Sequence, residues 1–552
     1  MTLWWLGLSL ATVAHAAIVT YNFTITMEIP KSKCYTSPQI LINGATPGPT
    51  IHVTDGDTLV INIFNRMAKE EFTMHYHGLH QRSTPFYDGV PDMTQTPVKP
   101  GKDYQQRIII DQSGSYLYHS HTKLHATTAL GALIIKEKTP PPFKYDEELL
   151  VFLTDRVFAT RASGLNYMGH MSSGIWFNGA PGIADNNTRA SNPACKTTMF
   201  VVEPNKVYRM RVISGTTLSY ASFAIAGHML EVVEAEGFYT TPVKLDKIPL
   251  HSGQRYSILL RTTNTARLDF RMHTHTMNKD GTTSLHGMTL LRYSAPAKPD
   301  RIGSNDRYSP SQMPYSDSRL TALGEVPLSG SRLPFDVDWP MDWRTTNLGE
   351  RAASSLFTPL VPNPAPPPVR RLYYRVTHEE REPEETPRWF VNNVTIKHPA
   401  VNLIAEAYKN TTHAHDETNY RLEHLDGNQV IEVVIQNTVD MVGVCDNHPW
   451  HLHGHSFWDM GSGPGKFSLE ETQAYSPSPI LRDTFTFALN LPQSGLNHRD
   501  DCGWHAVRFR TDNPGLWIFH CHILQHLDYG MVVYFAEDPN NLPALPSDIT
   551  NM

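Results

Sequence analysis

Ten histidines and one cysteine gather in four short groups. They are His75-Tyr76-His77, His119-Ser120-His121, His448-Pro449-Trp450-His451-Leu452-His453 and His520-Cys521-His522, the last trailed by His526 and Met531. Imidazole nitrogens and a thiolate are transition-metal ligands, so type and spacing together suggest metal chemistry. A single His-x-His says little: with 28 histidines in 552 residues, about one or two arise by chance. The chain has seven, and two of them, His273/His275 and His413/His415, lie outside the groups at about that random rate. Four of the other five fall inside the groups and the fifth, His453/His455, extends the third, all near the ends of apolar runs (59–64, 116–118, 431–435 and 516–519). A hydrogen-bonded structural role is the default for one histidine, but it does not account for four groups together.

Strand geometry explains the spacing. Residues i and i+2 project from one face of a strand, about 6.5–7 Å apart. Two imidazoles so placed are too far apart to share one metal at bonds of about 2 Å, but they suit two neighbouring metals. Four such pairs offer eight nitrogens, enough for three copper ions. Cys521 must point to the face opposite His520 and His522. With His448 and His526 it offers a thiolate and two imidazoles, and Met531 adds a weak axial sulfur, the ligand set of a blue electron-transfer copper. The backbone from Cys521 to its neighbours is then a short covalent path between the two kinds of site. Because the pairs lie at opposite ends of the chain, the two ends must fold against each other.

The elements that could position them are strands. Short Val/Ile/Thr/Phe/Tyr runs separated by Gly, Pro, Asn and Asp mark an all-β chain. Internal repetition is visible: the run 59–65 before His75-Tyr76-His77-Gly78 echoes 431–437 before His451-Leu452-His453-Gly454. The stretch from Gly114 to His121 likewise echoes that from Gly515 to His522. A middle unit (207–212, then 223–228) keeps the strand pattern without the ligand groups. Two metal-bearing β-sandwiches flanking a metal-free one is the simplest account. The Pro-rich segments 138–143, 295–315 and 359–368 divide the chain into 17–138, 139–315, a linker region 316–368, and 369–552.

At 552 residues and 40% apolar composition, three domains with packed interiors are expected. A net charge of −7 without a basic block argues against nucleic acid and anionic membranes as partners. Residues 1–16 resemble a signal peptide cleaved after Ala16, although they lack a basic start; a buried first strand is the competing reading. No later run of 18 apolar residues predicts a membrane span. Secretion is therefore expected, with Asn22, Asn186, Asn393 and Asn410 as glycosylation candidates. Setting Cys521 aside leaves four of the five cysteines, an even number suited to an oxidising compartment. The expected pairs are Cys34 with Cys195 and Cys445 with Cys502, the second bracing the loop into His448; four free buried thiols are the alternative.

These motifs resemble the multicopper oxidase family over nearly the whole chain after residue 16. Within it they look most like ascorbate oxidases, especially the fungal ascorbate-oxidase-like branch. Further supporting stretches are 42–50, 202–211, 233–237, 448–455 and 461–467. The resemblance implies three consecutive cupredoxin-like Greek-key β-sandwich domains, with a trinuclear centre between the first and third, and four copper ions. It implies that His448, Cys521 and His526 hold a type 1 copper with Met531 axial, and that His75 and His451 hold a type 2 copper. His77, His119 and His522 would hold one type 3 copper, and His121, His453 and His520 the other. His80, His125 and His455 fall outside the ligand pattern.

The resemblance also implies one-electron oxidation of a small reducing molecule near His526, with O2 reduced to water. Asp88 matches a carboxylate beside the metal centre and is the proton-relay candidate; a turn aspartate before Gly89 is the plain alternative. The acidic residue many relatives carry two positions after the match to His522 is Leu524 here, followed by Gln525. Trp389 matches an aromatic beside the ascorbate pocket, although a core tryptophan reads equally well. The stretch 153–158 lacks the paired tryptophans of the plant enzymes, which weakens ascorbate as donor. Laccase-type phenol oxidation is the alternative, then ferroxidation, for which Asp528 alone does not make a carboxylate set. A copper-carrying cupredoxin protein without turnover is a competing class, and the complete ligand set argues against it.

Overall fold

A computed structural model describes residues 16–32, 34–35, 37–157, 172–181, 195, 198–218, 221–264, 269–277, 283–294, 357–380, 387–396, 402–408, 422–487 and 495–546. Among them strands dominate, and the α-helices Leu403–Tyr408 and Leu524–Asp528 are short. The strands form three sandwiches of two sheets each. In the first, the order Gln39–Ile42, Ile18–Glu28, Thr58–Asn65, Asp103–Ile109 faces Ile51–Thr54, Leu130–Lys136, Gly114–His119, His75–His77. The second and third pair a six-stranded with a five-stranded sheet.

One signature recurs in all three. An opening strand runs parallel to the strand that leads the unit: Ile18–Glu28 with Thr58–Asn65, Glu147–Val157 with Val207–Ser214, and Arg370–Glu379 with Val430–Thr438. A short strand then runs parallel to the closing one, as Ile51–Thr54 does with Leu130–Lys136 and Leu422–Leu425 with Val532–Glu537. Met199–Val202 repeats this with Thr283–Tyr293, so the ligand-poor middle unit shares the fold.

Burial shows which strands lie between units. Asp103–Ile109 alternates exposed and covered residues, as a half-solvated strand must. Gly114–His119 and Gly515–Cys521 are buried at every residue, which requires cover on both faces. The first sandwich's core continues into the third: Phe23, Ile61 and Tyr118 share one cluster with Leu403, Ile404, Leu516 and Ile518. The Leu403–Tyr408 helix is anchored there by Leu403 N–H to Asp92 O (3.1 Å) and Ile404 N–H to Met93 O (2.8 Å).

Residues 357–366, within the stretch expected as a linker, pack against both neighbours. Phe357 is buried in the second core, and residues 358–360 bond along Phe238–Leu245. Pro366 then accepts from Arg508 of the third unit (3.1 Å). Cys34–Cys195 ties the first unit to the second, and Cys445–Cys502 lies within the third. No helix among the described residues is long and apolar enough to cross a membrane.

Candidate metal centre

Two strand pairs in equivalent places build the centre. His75–His77 lies antiparallel to Gly114–His119 with His75 opposite His119. Trp450–Leu452 lies antiparallel to Gly515–Cys521 with His451 opposite His520. Docking of the first and third sandwiches brings the pairs face to face. His75 stacks on His453 (3.8 Å between ring centroids) and His77 on His451 (3.6 Å). The ring nitrogens of His121, His453 and His520 converge within 4.8 Å, as do those of His75, His77 and His119, and those of His75, His451 and His453. His522 joins through Nε2, 3.0 Å from His77 Nδ1.

Six of the rings are held from behind. Nδ1 lies beside Asp88 O in His75 (2.9 Å), Ser120 O in His119 (3.0 Å), Asp483 O in His451 (2.8 Å) and Cys521 O in His520 (2.9 Å). Asp88 Oδ2 takes His453 Nδ1 (2.8 Å), and Ser252 Oγ lies beside His522 Nδ1 (2.9 Å). Each N–H so engaged leaves the other ring nitrogen with a lone pair facing inward. The Nε2 atoms of His75, His119, His121 and His451 are buried without a hydrogen-bond partner. Unpaired lone pairs crowded in a dry site are unfavourable unless a cation sits among them, so these residues fit a metal.

Electrostatics agrees. Burial, then the neighbouring imidazoles, holds His77, His121, His451 and His453 well below the ordinary histidine range. Burial above all brings His119 down to about 3 and His520 to about 4. Neutral imidazole is the form that donates to a metal.

On the opposite face of the same strand, Cys521 Sγ lies 3.6 Å from His526 Nδ1 and 3.9 Å from His448 Nδ1, with those nitrogens 3.1 Å apart. Burial pushes the Cys521 thiol well up, so its thiolate requires a cation beside it. Met531 is fully buried in the same core, and its carbonyl accepts from Cys521 N–H (3.1 Å). Cys445, bonded to Cys502, lies three residues before His448. His526 alone among these ligand candidates is half-buried rather than buried.

Trp389 packs on both imidazoles, 4.7 Å from His448 and 4.8 Å from His526 between centroids. It is 4% exposed, and His378 stacks on it at 4.5 Å, so it is a wall rather than an open platform. Asp88 is fully buried against His75 and His453, well beyond a turn role. His80 reaches Ser456 and His455 reaches Glu537, and neither they nor His125 joins a metal-capable group among the described residues. Asn22 and Asn393 are exposed; Asn186, Asn410, His413, His415 and residues 1–15 lie outside the described residues.

Sequence reasoning missed Asp483. Its Oδ1 lies 3.1 Å from His77 Nε2, and both carboxylate oxygens are gripped by Arg255 of the middle unit (2.7 and 2.6 Å). Glu236, also of the middle unit, accepts from Asp483 N–H (2.9 Å), Thr484 N–H (3.0 Å) and Arg482 (2.8 Å). No short-range spacing marks these residues, because each partner comes from a distant segment.

Multicopper oxidase family models match residues 24–140, 153–296 and 393–541. The L-ascorbate oxidase of Cucurbita pepo var. melopepo is 30% identical over 559 residues, covering 92% of each chain. The laccase-like multicopper oxidase 1 of Thermothelomyces thermophilus is 28% identical, covering 95% of this chain and 87% of its own. The crystal structure of Fet3p, a multicopper oxidase that functions in iron import, shares the fold with a TM-score of 0.73 at 23% identity, over 96% and 93% of the two chains. The family matches span all three sandwiches, and the chain belongs to the multicopper oxidases, oxidoreductases that use copper and O2.

Proposed function

We propose that this chain is a secreted, ascorbate oxidase-like enzyme with four copper ions, oxidising a small enediol or diphenol donor one electron at a time. The observation that carries the reading is the continuity from the half-buried His526 through Cys521 to the eight-histidine centre. His448, Cys521 and His526, with Met531 as a further sulfur ligand, would hold the type 1 copper; His75 and His451 would hold type 2. His77, His119 and His522 would hold one type 3 ion, and His121, His453 and His520 the other. Copper so held supplies single-electron transfer and the four-electron reduction of O2 to water.

The protein's own part is to position and insulate. The His526 edge meets the donor, and Trp389 shields the side of His448 from water. Cys521 links by two peptide units to His520 and His522 on the other face. Asp88, in contact with His75 Nδ1 and His453 Nδ1, is placed to pass protons to the centre, and with Leu524 in place of an acid it is the principal relay. The disulfides and the leader-like residues 1–16 support secretion.

Relatives named L-ascorbate oxidase at 28–30% identity support the ascorbate reading. The covered faces of Trp389 favour a second, laccase-type reading, in which a phenol needs only the His526 edge. O2 consumption with ascorbate, catechols, hydroquinones and Fe2+ tests both. Ascorbate turnover exceeding that of every phenol supports the first, and the reverse order supports the second. A copper-replete protein that consumes O2 with none of them overturns both.

A further inference from the structure

Among the described residues the middle sandwich contributes no atom to the metal-capable groups, yet one of its turns touches the centre directly. Residues 251–255 join Lys247–Leu250 to Arg255–Arg261. Gly253 has φ +84°, and a Cβ there would lie 2.5 Å from His77 Cε1. Two residues beside that glycine act on ligand candidates, Ser252 directly and Arg255 through Asp483. Ser252 Oγ lies 2.9 Å from His522 Nδ1, and Arg255 holds the Asp483 carboxylate that faces His77 Nε2.

We propose that the 251–255 turn is a positioning element that fixes which nitrogen of His77 and of His522 faces the metal centre; this rests on the ligand assignment above. A carboxylate locked in a guanidinium fork only accepts, so His77 must carry its proton on Nε2 and turn the Nδ1 lone pair inward. Thr484 Oγ1, 3.1 Å from the same Nε2, spends its own hydrogen on Asp483 Oδ1 (3.0 Å). Ser252 directs its hydroxyl hydrogen to Thr216 O. Its oxygen is then left to accept from His522 Nδ1–H, and His522 turns Nε2 inward. The two inward lone pairs, Nδ1 of His77 and Nε2 of His522, lie 3.0 Å apart. They belong to opposite tautomers; Ser252, which selects one, and Arg255, which locks the Asp483 carboxylate that selects the other, both come from the middle unit, which supplies no metal-capable group among the described residues. Arg255 and Asp483 are both buried, 0% and 1% exposed, so removing either partner strands a charge.

The test compares full-length parent with Asp483→Asn and Ser252→Ala. In the metal-free parent, selectively 15N-histidine-labelled, His77 is expected as the Nε2–H tautomer and His522 as Nδ1–H. Asp483→Asn presents an amide that can donate, so His77 is expected to switch to Nδ1–H. Ser252→Ala is expected to release His522 from a single tautomer. Copper competition is expected to show one ion bound about 10- to 100-fold more weakly in each variant, with the blue absorption of the Cys521 site intact. Unchanged tautomers with parent copper affinity in both variants overturn the proposal. Loss of blue absorption along with the copper in both also overturns it, since that marks a general structural role. A parent that binds copper only at Cys521 instead defeats the ligand assignment.

Discussion

Asp88 Oδ2 sits 2.8 Å from His453 Nδ1 across 365 residues of sequence, while its other oxygen lies 3.1 Å from His75 Nδ1. One buried carboxylate thus grips a ligand candidate from each terminal sandwich. Asp88→Asn keeps the shape and removes the acid. Anaerobic bleaching of the blue band by donor is expected to stay at the parent rate, while steady-state turnover falls by about 10²-fold or more. Stopped-flow reduction and O2 consumption measured on the same preparation separate the two. Parent turnover in Asp88→Asn would show that protons arrive by another route.

Cys521 is the only cysteine outside a disulfide, and its sulfur lies within 4 Å of a ring nitrogen of both His448 and His526. Cys521→Ser is expected to abolish the blue colour and all turnover, with most of the other copper retained. Visible absorption, copper per chain and O2 uptake check this. O2 uptake at the parent rate would sink the proposed electron path.

Met531 lies fully buried in the core that contains Cys521. Replacing it by leucine removes a weak donor to Cu(II), so the potential of the blue site is expected to rise in Met531→Leu. Redox titration of the blue band reads this directly. An unchanged or lowered potential argues that the sulfur is not axial.

Acid should weaken the metal-free protein before it reaches the carboxylates. Burial holds His119 at about 3 and His520 at about 4, against 6.5 for a free imidazole, and depresses His77, His121, His451, His453 and His522 in the same direction. The unfolded chain therefore binds more protons than the folded one as pH drops below 6.5, so stability falls with acidification. The loss begins near 6.5 and continues down towards the folded values. Calorimetric Tm of metal-free protein between pH 7.5 and 4.5 is expected to drop steadily across that window. A flat Tm down to pH 5 would mean the rings are not held neutral by the fold.

Legibility followed locality. His75, His77, His119, His121, His451, His453, His520 and His522 announced themselves because strand periodicity pairs i with i+2, and Cys521 because it must face the other way. The three-sandwich fold was legible in the repeated runs. The role of residues 357–360 was not, because their bonds to the second unit's edge depend on packing. Asp483, Arg255 and Ser252 were hidden for a related reason: a carboxylate, a guanidinium and a hydroxyl matter here only through partners 228 to 406 residues away. Trp389 was visible as an aromatic near the right place, yet the neighbour that covers its face, His378, required the strand register.

The shared cluster of Phe23, Ile61, Leu516 and Ile518 has a consequence for biogenesis. During synthesis the first sandwich emerges with part of its apolar surface awaiting Gly515–Cys521, and its imidazoles have no facing partners until then. Copper offered to the nascent chain meets half-sites at best. Completing the three-ion centre is therefore a late event, since it waits for the last-made strands to close over the first.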